Sequence, residues 1–180
     1  MPDAPKCVII AAPHTSNWDA VLMLAMAAVY QIDISWMVKH TVIEHRLGGL
    51  VRRLGGIPVD RRSRNDVVSQ MVDEFARRDA FLLAIPPEGT RKHAPYWKSG
   101  FYYIALRAKV PICLGFLDYG RKVGGLGPLM TPTGDLERDL ETLRAFYGNM
   151  KGKHPENFST IAFRPGGDAG GPKVPDAATS

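Results

Sequence analysis

Short β-branched apolar runs alternate with longer segments of helical periodicity along this chain. Between the runs, Val68, Met71, Val72 and Phe75 repeat every three to four residues, the spacing of a helix that lies on a sheet. Such alternation predicts right-handed crossovers and an α/β fold, with a mostly parallel central sheet flanked by helices. The runs predicted as strands are residues 7–12, 34–38, 57–59, 80–85 and 111–117.

The helical segments differ in character. Residues 19–31 are apolar nearly all round, whereas residues 42–54 form a basic amphipathic segment that stops at Gly55. Further helices are predicted near Ser99 and over the stripe of Leu136, Leu140 and Leu143, with an edge strand over residues 158–163. We expect one domain over residues 1–164 and a flexible tail over 165–180, where Gly, Pro, Ala and Asp dominate.

Composition adds limits. With 180 residues, 45% of them hydrophobic, the chain has the size of one globular domain. Its longest unbroken apolar run, residues 20–30, is shorter than the ~20 residues that cross a bilayer, and no secretion signal precedes it. We therefore expect a cytoplasmic protein in which Cys7 and Cys113 are buried, reduced thiols.

The net charge of +5 is unevenly distributed. Asp60 is the only acid in a basic stretch that contains Arg46, Arg52, Arg53, Arg61, Arg62 and Arg64. This stretch is either a solvated surface or the docking site of an anionic partner. It lacks the interleaved aromatic residues of a nucleic-acid site, and the chain has no zinc-finger spacing, so we expect no nucleic-acid partner.

A histidine and an acid flank the turn between the first predicted strand and helix. His14 precedes Asp19 by five positions. Histidine suits general-base catalysis at neutral pH because its ordinary pKa is near 6.5, and a carboxylate fixes the tautomer and stabilises the imidazolium. The N–H groups at the start of the helix are candidates for stabilising an oxyanion.

Cationic residues follow the other predicted strands. Arg61 and Arg91 are candidates for phosphate binding because a guanidinium offers paired donors, and Lys39 adds a further charge. Glu88 would orient acceptor hydroxyls or brace Arg91, and Gly89 would let the backbone approach a ligand. Since carboxyl ends of parallel strands meet at one edge, we expect these regions to converge there with His14.

Four segments in this order resemble the 1-acylglycerol-3-phosphate acyltransferase-like (lysophospholipid acyltransferase) family. They are PHTSNWD, LGGIPVDR, IPPEGTR and KVPICLGF, which together run from about His14 to Phe116. The resemblance implies a glycerolipid acyltransferase-like fold. It also implies transfer of a fatty acyl group from acyl-CoA or acyl carrier protein to the hydroxyl of a lysophospholipid, with no metal or other cofactor.

The resemblance also implies roles for individual residues. His14 is the base and Asp19 its partner, Arg61 and Arg91 contact the acceptor phosphate, and Pro111 shapes the pocket. The segment Glu88, Gly89 and Thr90 is the loop of the acceptor site.

Two other functions stay open. One is a thioesterase or lipid hydrolase that uses Ser16 or water, although the chain has no Gly-x-Ser-x-Gly elbow. The other is a non-catalytic module that binds anionic lipid. For the acyltransferase we expect peripheral attachment to an anionic membrane at the inner face, through the basic helix near Arg52 and the apolar surface around Trp18 and residues 21–26.

Overall fold

The computed structural model describes residues 4–44, 48–59 and 64–164, with the backbone alone for residues 64–66. The strands are β1 (Lys6–Ala12), β2 (Ile34–Lys39), β3 (Gly56–Val59), β4 (Phe81–Ile85), β5 (Ile112–Asp118) and β6 (Val123–Met130). The helices are α1 (Trp18–Tyr30), α2 (His40–Ile43), α3 (Gly48–Arg53), α4 (Arg64–Arg77), α5 (Gly100–Ala108) and α6 (Leu136–Tyr147), followed by a 3-10 turn at Pro155–Asn157.

All six strands form one sheet in the order β3-β2-β4-β1-β5-β6. The first five are parallel, and β6 pairs antiparallel with β5 at the edge. β1 lies between β4 and β5, with Ile10 opposite both Ile85 and Leu114. The carboxyl end of β1 is therefore flanked by the loops that follow two other strands.

Successive crossovers place helices on both faces of the sheet. The chain runs from β1 toward β3 and then reverses to reach β4 and β5, so right-handed connections put α1 on one face and α4 and α5 on the other. α6 joins α4 and α5 on the second face. Alternate residues of β1 divide between the two layers, with Cys7 and Ile9 on the α1 side and Val8 and Ile10 on the other.

The face of the sheet that α1 covers has the smaller hydrophobic core. Its buried cluster consists of six residues, among them Ala27 of α1 and the free thiols Cys7 and Cys113. The opposite face carries the larger core, centred on Phe101, Tyr102 and Tyr147. This difference leaves room for a cavity beneath α1.

The predicted α/β class and mostly parallel sheet are confirmed, but three local predictions were wrong. The glycine-rich segment after β5 forms β6 rather than a simple connection. The helix predicted over 42–54 is divided into α2 and α3, because the chain bends at Glu44; residues 45–47 lie outside the described part. Residues 158–163 contribute a single bridge, Phe163 to Trp97, instead of an edge strand.

Among the described residues the longest helix is α4, with 14 residues. None of the helices there is both long enough and apolar enough to cross a bilayer. The predicted tail at 165–180 lies outside the described residues.

Candidate active site

The turn between β1 and α1 brings His14 and Asp19 together. β1 ends at Ala12 and α1 begins at Trp18, so both side chains lie at the carboxyl edge of the sheet. Nδ1 of His14 is 3.2 Å from Oδ2 of Asp19. In this contact the ring carries its proton on Nδ1 and donates it to the carboxylate as a hydrogen bond. Nε2 is then the nitrogen that can accept a proton.

The Asp19 carboxylate is held by several donors. Oδ2 accepts the main-chain N–H groups of Thr15 and Ser16, each at 2.8 Å. Oδ1 accepts the hydroxyl of Tyr119 at 2.7 Å. Burial alone would raise the pKa of Asp19, but the hydrogen bonds from His14, Tyr119 and Ser16 outweigh it and lower the pKa. Asp19 is therefore a fixed anion at neutral pH.

Tyr119 is suited to the role of donor. Burial, together with the neighbouring Asp19 carboxylate, raises the pKa of its phenol. The hydroxyl therefore stays protonated throughout the neutral range and keeps donating to Asp19.

Glu88 connects the loop after β4 to the backbone of His14. Its side chain is 1% exposed. Oε1 accepts the main-chain N–H of His14 at 2.5 Å, and Oε2 accepts that of Ser159 at 3.1 Å. Burial raises the pKa of Glu88, and the hydrogen bonds from His14 and Ser159 offset only part of that rise. Both carboxylate oxygens are used to hold main chain beside the base.

A cavity of about 960 Å³ opens at this edge of the sheet, and His14, whose side chain is 17% exposed, lines it. One part of the wall is cationic and comes from the loops after β4. Gly89, Thr90 and Arg91 line this part together with Lys98.

Gly89 and Lys98 pack closely in this wall. Gly89 has φ +64°, and a Cβ there would lie 2.6 Å from Nζ of Lys98. The main chain of Lys98 donates to the carbonyl of Pro87 at 2.7 Å. The glycine therefore leaves space for the lysine side chain to lie across the loop.

The rest of the cavity is mostly apolar, and it extends toward α4 and α5, where Val68, Phe101 and Ile104 line it, as well as beneath α1. Its lining beneath α1 includes Met23, Ala27, Ile34, Trp36 and Leu126. A ligand in this cavity would place an apolar portion between α1 and the sheet, with a polar portion near His14 and Arg91.

Other residues singled out in the sequence lie elsewhere. Trp36 and Ile9 are both level with Ala84, so Lys39 is level with Ala12 but two strands away, about 10 Å along the sheet edge. Pro111 precedes β5 and its carbonyl accepts the N–H of Val8, which places it at the opposite, amino-terminal edge of the sheet. Arg61 lies outside the described residues.

The segment after α6 is hydrogen-bonded to the turn between β1 and α1. The main chain of His154 donates to Oγ1 of Thr15 at 3.2 Å. Gly152 is buried against the same threonine, and a Cβ at this glycine would lie 2.6 Å from Thr15 Oγ1. Ser159 holds Glu88, as described above. Residues 151–159 thus contact both loops that carry the candidate chemistry.

Several N–H groups around the start of α1, where the sequence predicted an oxyanion site, have other partners. Those of Thr15 and Ser16 donate to Asp19, and that of Trp18 donates to Oγ of Ser16 at 3.2 Å. Ser16 is buried, and its hydroxyl oxygen is engaged as a local cap. Over the described part of the chain, no group of three His, Cys, Asp or Glu side chains is arranged to hold a metal ion.

A large part of the chain matches a known protein family. Residues 3–113, more than half of the chain, match the family model described as Acyltransferase. The chain belongs to the acyltransferase family, with a domain of the 1-acylglycerol-3-phosphate O-acyltransferase type. No match was found among curated proteins or solved structures. His14, Asp19, Glu88 and Arg91 fall within the match, whereas Tyr119 and the segment after α6 lie beyond it.

Sequence reasoning missed three contributors to this acyltransferase site. Tyr119, Lys98 and Ser159 were not among the candidate site residues that the sequence suggested. For Tyr119 a signal was present, since it lies two positions after the strand predicted at 111–117, at the carboxyl edge of the sheet. For Ser159 there was none, because its contact with Glu88 spans 71 positions of an irregular chain.

Proposed function

We propose that this acyltransferase moves a fatty acyl group from the thioester of coenzyme A or acyl carrier protein to the hydroxyl of a lysophospholipid. The observation that carries the proposal is the position of the His14 and Asp19 pair at a cavity with a cationic wall and an apolar interior. Acyl transfer between a lipid-like donor and a phosphorylated acceptor needs these three features in one place.

His14 acts as the general base. Nε2 takes the proton of the acceptor hydroxyl while that oxygen attacks the thioester carbonyl carbon. The tetrahedral intermediate collapses, the carbon–sulfur bond breaks, and the thiolate takes the proton back from the imidazolium to leave as a thiol. Asp19 stabilises the imidazolium through Nδ1, since its lowered pKa keeps it ionised.

The acyl chain occupies the apolar part of the cavity beneath α1. Met23 and Ala27 on the helix face Ile34 and Leu126 on the sheet across this space. Burial of methylene groups contributes about 0.8 kcal/mol each, which favours a long chain over a short one. Selectivity for chain length then depends on the side chains at the inner end of the cavity.

The acceptor phosphate binds at the cationic wall. Arg91 offers two parallel donors and Lys98 a point charge, and both line the cavity with Gly89 and Thr90. Lys39 and Arg61, proposed from the sequence, stay predictions as phosphate contacts, because Lys39 lies two strands from β1 and Arg61 lies outside the described residues. Glu88 contributes through the main chain of His14 rather than through the acceptor.

The protein docks on the inner face of an anionic membrane. The outer face of α1 exposes Trp18, Val21, Leu22 and Val29, the last of these 79% exposed. Nζ of Lys153 lies 5.4 Å from the ring centroid of Trp18, which places a cation beside the apolar face. Apolar residues bordered by basic ones match a surface of anionic headgroups above acyl chains.

Vesicle flotation tests the docking surface. We expect Val21→Ser/Val29→Ser to lose most binding to vesicles that contain anionic phospholipid, and the wild type to bind neutral vesicles weakly. Arg52→Glu/Arg53→Glu measures the contribution of α3. Unchanged flotation of the valine variant would contradict docking through α1, and a dimer that dissociates in that variant would indicate that a second copy covers the face.

The reaction is tested by crossing donors with acceptors. Acyl-CoA and acyl carrier protein are combined with lysophosphatidate, other lysophospholipids and alcohols without phosphate, and thiol release and acylated product are both measured. We expect kcat/KM to be highest with a lysophospholipid and much lower with alcohols that lack phosphate. Equal thiol release without acceptor, with no acylated lipid, would indicate a thioesterase, and an acyl adduct on Ser16 in mass spectra would exclude direct attack.

A further inference from the structure

Tyr119 contacts the pair of His14 and Asp19, although it lies outside residues 3–113, the part of the chain that matches the family. It lies 100 positions after Asp19 in sequence, in the turn that connects β5 to β6. Its hydroxyl donates to Oδ1 of Asp19 at 2.7 Å. β5 neighbours β1 in the sheet, so this turn emerges at the same edge as His14.

The two oxygens of Asp19 have different partners. Oδ2 receives the N–H groups of Thr15 and Ser16 as well as Nδ1 of His14. At Oδ1, the described donor is the Tyr119 hydroxyl. A carboxylate anchored at both oxygens cannot rotate about its Cβ–Cγ bond, and the oxygen that faces His14 stays in place.

The backbone of Tyr119 is itself fixed. The N–H of Tyr119 donates to the carbonyl of Lys151 at 2.9 Å. The preceding residue, Asp118, is buried, and its Oδ1 accepts the N–H groups of Gly120, Arg121 and Lys151. The turn and the segment after α6 therefore form one hydrogen-bonded unit that presents the phenol to Asp19.

We propose that Tyr119 is a positioning residue that acts through Asp19 to orient the imidazole of His14 for proton transfer. The inference rests on the proposed function of His14 as the base. Hydrogen-bonding partners behind a catalytic pair hold it near the productive geometry, and small displacements there reduce the rate strongly.

The charged and titratable groups around His14 come from several elements. The turn that carries Tyr119 contributes Asp118 and Arg121, the segment after α6 contributes Lys151 and His154, and Arg91 and Lys98 line the same cavity as His14. Asp19 contacts the His14 ring, Glu88 holds its main chain, and Tyr119 reaches the ring only through Asp19. Without the Tyr119 hydroxyl, the negative charge of Asp19 is less compensated. This charge then stabilises the imidazolium form of His14 more strongly relative to the neutral ring. The protonation midpoint of His14 should therefore move to higher pH.

Tyr119→Phe removes the hydroxyl and keeps the ring, and Tyr96→Phe, at an exposed tyrosine, is the matched control. We expect kcat to fall about tenfold with little change in KM, and the acid limb of kcat to move to higher pH. NMR titration of the His14 imidazole without substrate should show the same displacement. An unchanged midpoint, or one at lower pH, together with unchanged kcat overturns the proposal.

A double-mutant cycle separates positioning from a general effect on the fold. In the Asp19→Asn background, Tyr119→Phe should reduce kcat by little more than experimental error, because its route to His14 is gone. The same tenfold loss in both backgrounds would show that Tyr119 does not act through Asp19. Absence of turnover in the wild type would contradict the proposed function, whereas the NMR titration would still test the link from Tyr119 to His14.

Discussion

The main-chain N–H of His14 donates to Oε1 of Glu88 at 2.5 Å, which joins the loop after β4 to the loop after β1. The other oxygen of Glu88 holds Ser159. Glu88, for which the sequence suggested contact with acceptor hydroxyls or with Arg91, therefore lies behind the main chain of His14 and is almost completely buried. The Glu88 side chain thus sets the distance between the loop after β1 and the loop after β4.

Glu88→Gln should reduce kcat by up to about 10²-fold, because glutamine has one carbonyl oxygen for two N–H groups and the His14 turn then shifts. KM for the acceptor should change little, since the carboxylate holds the base rather than the substrate. Steady-state kinetics check this, with the exposed Glu141→Gln as control. A rise in KM alone would indicate that Glu88 contacts the acceptor.

The two buried carboxyls predict opposite effects of pH on stability. The pKa of Asp19 is lowered from 3.8, so its contribution is complete above 3.8 and is lost as pH falls through the lowered value. The pKa of Glu88 is raised from 4.5, so the protein is most stable with respect to this group below 4.5 and loses that stability as pH rises through the raised value.

Denaturant unfolding of wild type, Asp19→Asn and Glu88→Gln across acidic pH measures both effects. The difference between wild type and Asp19→Asn should grow with increasing pH, while that between wild type and Glu88→Gln should change in the opposite sense. Differences that have the same slope would contradict the assigned pKa directions.

Lys98→Met should raise KM for a phosphorylated acceptor about tenfold, because a charge beside Arg91 is lost while the stem is retained. Acceptors without phosphate should be unaffected. Lys92→Met is the matched control, an exposed lysine next to Arg91 in sequence. Equal effects of the two variants on both acceptor classes would show a general electrostatic contribution instead of a site at Lys98.

Ala27→Leu should shift donor preference to shorter acyl chains, because the added atoms enter the cavity beneath α1. Overpacking at a buried position costs about 1–3 kcal/mol, so thermal unfolding is measured in parallel. Rates over a series of acyl-CoA lengths give the preference. Ala76→Leu, at an exposed position of α4, should leave it unchanged, and an unaltered profile for Ala27→Leu would place the chain elsewhere.

Much of the fold followed from periodicity, because β1, β4 and β5 are apolar runs buried on both sides of a parallel sheet, and β2 is a half-buried run beside them. β6 did not, since its sequence VGGLGPLM contains three glycines and a proline, residues that are rare in strands. It forms because an edge strand beside β5 needs few side chains to pack. The opposite error was made for residues 158–163, which were predicted as a strand because they are partly apolar. Their apolar side chains pack on the core, but the backbone forms only one bridge and no strand ladder.

In the candidate site, contacts between residues close in sequence could be predicted, whereas contacts between distant residues could not. The contact of His14 with Asp19 could be expected because five positions of turn separate them at the end of a strand. The contacts of Glu88 with His14 and of Tyr119 with Asp19 span 74 and 100 positions, and they depend on strand order. The order β4-β1-β5 brings both loops to β1, and no local pattern specifies that order.

The most direct test of general-base catalysis by His14 compares purified His14→Ala with the wild type. The rate of acylated-lipid formation from acyl-CoA and lysophosphatidate is measured for both proteins, after thermal unfolding has shown that they are equally stable. The account predicts a loss of at least ~10²-fold, with the donor still bound. Formation of acylated lipid at the wild-type rate would contradict it.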